Sequence, residues 1–354
     1  MSAVTQPIRV LVAGLGNMGR SHALAYHNNA GFEIVGLVNR SKPVLDEALH
    51  GYTIHPDFET ALAELKPDLC SICTYSDSHA DYAVMAFEAG CDVFIEKPLA
   101  TTVADAERVV AAAKSAGKKL VIGYILRHHP SWMRLIAEAR NLGGPYVFRM
   151  NLNQQSSGPT WETHKALMQT TSPIVDCGVH YVDVMCQITD ARAVEVRGMG
   201  LRLSNEIAPD MYNYGHLQVK FEDGSVGWYE AGWGPMISET AFFVKDVMSP
   251  NGAVSIVMDP NAKSDDIDTH TKTSVIRLHN AETGPDGRFI RPDRDLHMDG
   301  EPGHQELCNF EQAYVLKAII EDIDLTRHMH DAVQSLRICL AADESVRTGK
   351  TVTL

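Results

Sequence analysis

The sequence predicts an α/β protein of two domains. A parallel sheet wound with helices spans residues 1–125, and residues 126–354 form a second α/β domain on an open, mainly antiparallel sheet. Three observations carry this. Short apolar runs alternate with helix-length segments through the first third of the chain. A glycine-rich turn follows the first run. After about residue 125 the rhythm changes to longer strands in which apolar and polar residues alternate.

Residues 8–13 are a β-branched run followed by Gly14, a helical stretch follows to residue 30, and residues 32–38 read as the second strand. Later strands are expected at 69–74, 93–95 and 120–122, with helices at 78–89 and 103–116 between them. This alternation implies right-handed crossovers and hence a parallel sheet. Beyond the junction, a helix at 131–141 leads through Gly143-Gly144-Pro145 to strands at 146–154, 193–203, 214–221 and 225–231. Glu222-Asp223-Gly224 marks a hairpin, because Asp-Gly tolerates the positive φ of a tight turn. Residues 258–303, rich in Asp, Pro, Gly and His, read as a long loop. The last helix, 330–347, has Gly349 as its C-cap.

The length of 354 residues fits two domains of about 150 residues each. With 45% hydrophobic and 21% charged residues the chain has a folded protein's profile. Its net charge of −14 repels nucleic acid and anionic lipid, so neither is an expected partner. Seven scattered cysteines argue against a disulfide framework and for a reducing compartment. Cys70 and Cys73 spell C-x-x-C inside an apolar strand and are expected to be core residues rather than a redox pair. The polar N-terminus lacks an apolar signal core, and no run reaches 18 apolar residues. Together these point to the cytoplasm.

Gly14-Leu15-Gly16-Asn17-Met18-Gly19 follows the first strand and opens a helix. Gly14 permits a tight turn, Gly16 lets backbone approach a pyrophosphate, and Gly19 lets helix and strand pack closely. The helix N-terminus then offers N–H groups to the phosphates. This is the Rossmann dinucleotide pattern, so NAD(P) is the expected cofactor. The ribose-reading position at the end of the second strand is Asn39, followed by Arg40 and Ser41. A carboxylate there would repel a 2′-phosphate; Asn39 does not, which tips the balance slightly toward NADP.

Glu96-Lys97-Pro98 follows the strand at 93–95. A lysine at the C-terminal end of a parallel strand stands where such sheets bind ligands, and can serve a reacting hydroxyl. Alone, the motif reads equally well as a surface ion pair. Asp176 and His180 are four apart and share one helix face. Such a histidine can accept a hydroxyl proton when a neighbour fixes its orientation. No third ligand for a metal is evident, and none is expected. Tyr124 and Arg127 lie at the domain junction and are candidates to face nicotinamide or substrate, whereas His128 and His129 read as solvated loop residues.

Together these motifs resemble the glucose-fructose oxidoreductase / inositol dehydrogenase / MocA (Gfo/Idh/MocA) family. The resemblance runs through the glycine fingerprint, Ser78-His79, Ala89-Gly90-Cys91-Asp92-Val93, Glu96-Lys97-Pro98, the segment from Asp176 to Asp183, Asn251-Gly252 and Arg347-Thr348-Gly349-Lys350. It implies a sugar or polyol dehydrogenase whose second-domain sheet forms homodimers or homotetramers. It also implies a triad in which His180 takes the hydroxyl proton as hydride passes to nicotinamide, Lys97 polarises the same oxygen, and Asp176 orients the site. Thr74, His79 and Glu96 join the expected cofactor contacts. Two residues depart from the family pattern: Tyr75 replaces a usual proline, and Asn39 a common aspartate.

Asn153, Trp161, His164, Lys165 and Trp233 are the expected substrate contacts. Aromatic faces suit sugar rings, and Lys165, His164 and Arg127 suit a carboxylate or sulfonate, so an anionic sugar is one expectation. Two other readings use the same motifs: redox-neutral cleavage of a glycosidic bond with bound NAD, and a dinucleotide sensor without chemistry.

Overall fold

The structure is a computed structural model that describes residues 6–266 and 269–354. The chain folds as two compact units, one comprising Met1–Ile125 with His304–Val333, the other Leu126–Gly303 with Gln334–Leu354. The expected 126–354 domain therefore needs a correction: residues 304–333 return to the first unit.

In the first unit the strands are β1 (Ile8–Ala13), β2 (Phe32–Val38), β3 (Ile54–His55), β4 (Leu69–Ile72), β5 (Asp92–Ile95) and β6 (Leu120–Ile122). They form one parallel sheet in the order β3-β2-β1-β4-β5-β6. Helices α1 (Asn17–His27), α2 (Phe58–Leu65), α3 (His79–Glu88) and α4 (Val103–Ala116) cross between them. This is the doubly wound order, whose switch point lies between β1 and β4. Val10 to Ala13 and Leu69 to Ile72 are wholly buried, as a sheet covered on both faces requires. The strand-end loops leave in register: Gly14 N donates to Val38 O, Cys73 N to Ala13 O, Glu96 N to Ile72 O and Gly123 N to Ile95 O. Gly14, Asn39, Thr74, Glu96 and Tyr124 therefore all stand at the same edge of the sheet, past the C-terminal strand ends.

In the second unit, α5 (Pro130–Leu142), β7 (Val147–Gln155), α6 (Gly158–Leu167) and α7 (Pro173–Thr189) lead to β8 (Ala193–Leu201), β9 (Tyr214–Phe221) and β10 (Val226–Gly234). The sheet continues with β11 (Lys245–Ser249), β12 (Gly252–Val257), β13 (Val275–Asn280) and β14 (Arg294–His297). Helices α8 (His304–Ile320) and α9 (Thr326–Thr348) follow, and β15 (Val352–Thr353) ends the chain. Nine strands pair as β14-β13-β12-β11-β7-β10-β9-β8-β15, antiparallel except for the β7–β10 pair. The expected loop at 258–303 thus contains two strands of the sheet edge. Gly224 turns the β9–β10 hairpin at φ 88°.

Alternation along β10 sets the two faces of this sheet. Tyr229 stacks on Tyr181 of α7 at 5.1 Å, and Trp132 of α5 meets Tyr181 edge-on at 5.7 Å. The other face exposes Val147, Met199, Leu201 and Val226. All seven cysteines are free thiols. Burial pushes the Cys73 thiol well up, which suits a core residue and not a redox pair. No described helix is long and apolar enough to cross a membrane.

Candidate active site

The glycine loop meets the geometric demands of a dinucleotide turn. Gly14 has φ 87°, a left-handed conformation that glycine adopts without a Cβ penalty. A Cβ on Gly19 would stand 1.8 Å from Gly14 O, so only glycine lets α1 rest this closely on the turn. A Cβ on Gly16 would meet nothing within 4 Å, which leaves its backbone open to a ligand. Gly16 caps α1 without a side-chain hydrogen bond, so the first-turn N–H groups of Asn17, Met18 and Gly19 are not taken up by a capping side chain. Gly19→Ala should therefore raise the dinucleotide Kd by at least about tenfold, read by fluorescence titration, because loop and helix must separate. Unchanged affinity would disprove the role assigned to this contact.

Asn39 does more than the sequence suggested. Its Oδ1 accepts from Leu15 N at 3.0 Å and its Nδ2 donates to Ser41 O at 2.7 Å, pinning the glycine loop to the end of β2. Arg40 and Ser41 beside it are exposed. Arg20, on the first helical turn, donates to Asn17 Oδ1 at 2.8 Å.

At the ends of β4 and β5, Thr74 and His79 form a second brace. Thr74 Oγ1 and Ser78 Oγ share a hydrogen bond of 2.7 Å. The buried His79 ring faces Pro98 O at 2.8 Å and Thr74 O at 3.0 Å, tying the two loops together. Burial pushes its imidazole down, although both carbonyls favour the proton. Tyr75 projects outward, exposed. Tyr124 is buried edge-on to His328, whose Nε2 accepts from Ile122 N at 2.8 Å.

Glu96 is buried beneath the Lys97 backbone. Its Oε1 lies 2.7 Å from His22 Nε2 and its Oε2 accepts from Lys97 N at 3.0 Å. Burial pushes this carboxyl up, but the His22 hydrogen bond, the Lys97 charge and the Lys97 N–H outweigh it and hold it below the usual glutamate range. The Lys97–Pro98 bond is cis. Glu96 is thus an interior anchor and not half of a surface ion pair. Sequence reasoning missed His22, Glu311 and Gln312, which surround it. The ligand-type atoms of His22, Glu96 and Glu311 lie within 4.8 Å of one another. Both Glu96 oxygens accept N–H donors, whereas neither Glu311 oxygen has a hydrogen-bond partner among the described residues.

In the second unit, α7 is held at its start and near its middle. Ser172 caps it by accepting from Val175 N at 3.2 Å and donates its hydroxyl to Asp343 Oδ1 at 2.8 Å. Near its middle, Arg127 forks onto Asp183, Nε to Oδ2 at 2.8 Å and Nη2 to Oδ1 at 2.6 Å, with Gln187 adding a third donor. Asp176 and His180 lie between these anchors, one turn apart on the same face, Asp176 buried and His180 partly exposed. Arg127 is therefore a brace for the helix that carries them. His129 is not a solvated loop residue: it is buried and caps α5 by accepting from Ser131 N at 3.2 Å. Burial pushes His128 down to about 4, with the Arg127 charge contributing.

The expected substrate contacts separate into two groups. Trp233 and His164 are buried and stack at 4.3 Å with an interplanar angle of 11°. Trp161 Nε1 donates to Glu206 at 3.2 Å, and Lys165 donates to Glu206 and Glu162, each at 2.8 Å. Asn153 stands apart. It pairs in register with Gly232, so it faces opposite to Trp233 and α7, and it hydrogen-bonds Glu230 on that far side. The period-2 alternation of a strand decides this, and the sequence alone did not reveal which phase faced the helices.

Comparison with known proteins fits this geometry. Residues 8–124 match the family model for the oxidoreductase family NAD-binding Rossmann fold, GFO_IDH_MocA, and residues 132–239 match the GFO/IDH/MocA C-terminal domain. D-glucoside 3-dehydrogenase of Escherichia coli K12 is 25% identical over 343 residues, covering 90% of this chain and 95% of that protein. Inositol 2-dehydrogenase of Salmonella paratyphi B is 29% identical over 182 residues, 49% of this chain and 52% of that protein. The chain thus aligns with about half the length of the latter. The WlbA dehydrogenase of Bordetella pertussis, solved with NADH and UDP-GlcNAcA, superposes with a TM-score of 0.74 at 18% identity over 99% of this chain and 98% of its own. With its two family domains in order and a glycine loop, a buried Glu96 beneath Lys97 and an Asp176/His180 helix face in place, the chain belongs to the Gfo/Idh/MocA oxidoreductase family.

Proposed function

We propose that the protein is an NAD(P)-dependent dehydrogenase that moves hydride from a secondary alcohol of a sugar or polyol to nicotinamide. The observation that carries this is the anchoring of Glu96 by His22 and the Lys97 N–H, at the same sheet edge as the glycine loop. That arrangement fixes a lysine where an α/β sheet receives its ligand. The bound dinucleotide would supply the hydride acceptor, with its pyrophosphate on the Gly14–Gly19 turn. His180 would take the hydroxyl proton, Asp176 would hold the imidazole, and Lys97 would polarise the oxygen. D-Glucoside and inositol dehydrogenases among the relatives support this substrate class.

Trp161 and the stacked, buried pair His164 and Trp233 form the aromatic cluster that supports a sugar ring in the second unit. For an anionic sugar the support is thinner, because Lys165 is held by Glu162 and Glu206 and Arg127 by Asp183. The deciding experiment is a panel of neutral sugars, polyols and sugar acids with NAD and NADP, following nicotinamide absorbance and product mass together. Oxidised product matching reduced cofactor supports the dehydrogenase. Bond cleavage without net reduction, or no turnover across the panel, overturns it.

The pocket for the adenosine ribose presents Asn39, Arg40 and Ser41 and no carboxylate at position 39, which supports NADP over NAD. Asn39→Asp keeps an acceptor for Leu15 N and adds a charge that repels a 2′-phosphate. It should cut kcat/KM for NADP by about tenfold or more and leave NAD within about twofold. Equal effects on both cofactors would refute this reading. The exposed apolar residues Val147, Met199, Leu201 and Val226 on the open sheet face support a homodimer or homotetramer, and light scattering of the purified protein checks it.

A further inference from the structure

The side chains around Glu96 form a closed buried group whose hydrogen positions can be worked out. Gln312 Nε2 lies 2.9 Å from His22 Nδ1, and an amide nitrogen can only donate there. His22 Nδ1 is then the acceptor and the ring carries its proton on Nε2, which donates to Glu96 Oε1 at 2.7 Å. Glu96 accepts a second N–H, from Lys97. It is the carboxylate of the group.

Glu311 is in the opposite position. Its side chain has no solvent exposure, and neither oxygen has a hydrogen-bond partner. The nearest basic atom is His22 Nε2 at 3.9 Å, whose proton is already given to Glu96. Burial first, and then the charge of Glu96, push the Glu311 carboxyl well up. The other titratable groups facing this cluster are Tyr26 of α1, Cys73 after β4, His79 of α3 and Cys308 of α8; burial pushes the phenol and both thiols up and the imidazole down, so they bring no charge. With His22 neutral by the geometry above, the Lys97 charge is the one that acts on Glu96.

We propose that Glu311 is a neutral carboxylic acid packed beside His22, and that Gln312 holds His22 against Glu96 and makes His22 a positioning residue for Lys97. Two carboxyls so close would repel each other, buried, if both ionised. The neutral Glu311 leaves one negative charge, matched to one ammonium. His22 keeps Glu96 ionised and in place, and Glu96 fixes the Lys97 backbone. Glu311 and Gln312 lie on α8, over 200 residues along the chain from the motif they support, and return to it within the first unit.

The role of His22 rests on Lys97 acting as proposed above, whereas the charge state of Glu311 does not, so two measurements are needed. The first is the infrared difference spectrum of wild type minus Glu311→Gln at neutral pH in D2O. A protonated-carboxyl C=O band is expected; its absence overturns the proposal whatever the enzyme does. The second is the pH profile of kcat/KM in an active preparation. His22→Leu should lower kcat by about tenfold, leave cofactor Kd unchanged and move the alkaline limb down by about one pH unit, because Lys97 loses the anion that favours its ammonium. Glu311→Ala should move the limb the same way and Glu311→Gln should restore it. A limb unmoved in both His22→Leu and Glu311→Ala, or displaced equally by Glu311→Gln, overturns the positioning role. If His22→Leu fails to fold, the Glu311 pair decides alone. Wild type lacking all dehydrogenase activity refutes the functional reading and leaves the infrared result standing.

Discussion

Lys97→Ala is expected to lower kcat by about 10²–10⁴-fold while dinucleotide Kd stays within about twofold. The separation follows from how the first unit is built. The pyrophosphate site is made of backbone, at Gly14, Gly16 and the open first turn of α1, and none of it depends on the Lys97 ammonium. Lys97 is fixed instead through its own N–H on Glu96, which alanine also possesses, so Glu96 and His22 keep their hydrogen bonds in the variant. Only the charge and donor at the reacting oxygen are lost. His180→Ala should fall in the same range. If the two groups serve one proton transfer, the double variant should lose little more than the worse single one, since residues acting as a unit are not additive. Steady-state kinetics with fluorescence titration of the cofactor checks both statements. A Lys97→Ala enzyme with wild-type kcat would remove the lysine from the chemistry, and a matching loss of cofactor affinity would make it a binding residue.

Much of the first unit was legible because its signals are local. The strands at 32–38 and 120–122 and the helix at 103–116 carry their own period, and the glycine turn its own spacing. The residues that matter most around Glu96 were not legible. Glu311 and Gln312 sit within a helix whose polar residues suggest a solvated face, and nothing in a run such as Asn309-Phe310-Glu311-Gln312 announces that the last two are buried. Only the return of α8 to the first unit does so. Asn39 shows a different limit. Its position was right, but an amide can read a ribose or staple a loop, and the bonds to Leu15 and Ser41 appear only in three dimensions. In the second unit the helix pair Asp176/His180 was visible from spacing, while its supports, Arg127 on Asp183 and Ser172 on Asp343, join residues 56 and 171 apart. Helix α6 was not foreseen: Gly158 and Pro159 at its start are residue types that more often mark turns. They occupy the first helical turn instead, where proline is tolerated.

Lys245→Met is expected to stabilise the protein below neutral pH, an outcome opposite to that of most buried substitutions. Lys245 is fully buried at the start of β11, with its ammonium over the rings of Trp132 at 5.3 Å and Phe243 at 5.6 Å and donating to His270 O. Desolvation pushes it down to about 7, against the pull of the Glu301 charge. An unfolded lysine titrates near about 10.4. Between these values the unfolded chain binds the proton and the folded one does not, so stability rises with pH across this window. Above about pH 10.4 the burial carries no protonation penalty; it accumulates as pH falls and is complete below about 7, reaching on the order of 4 kcal/mol. Methionine fills similar volume without a charge. The groups left behind remain satisfied: Tyr181 OH still donates to His270 O at 3.4 Å, and Glu301 keeps donors from Ser131, Thr273 and Ser274. Denaturant unfolding of both proteins at about pH 6, 8 and 10 should show the variant ahead at the lowest pH and the gap closing at the highest. A gap that stays constant across the series would mean that Lys245 does not change its charge in the folded state, and a variant less stable at the acid end would mean that the rings and Glu301 more than compensate its burial.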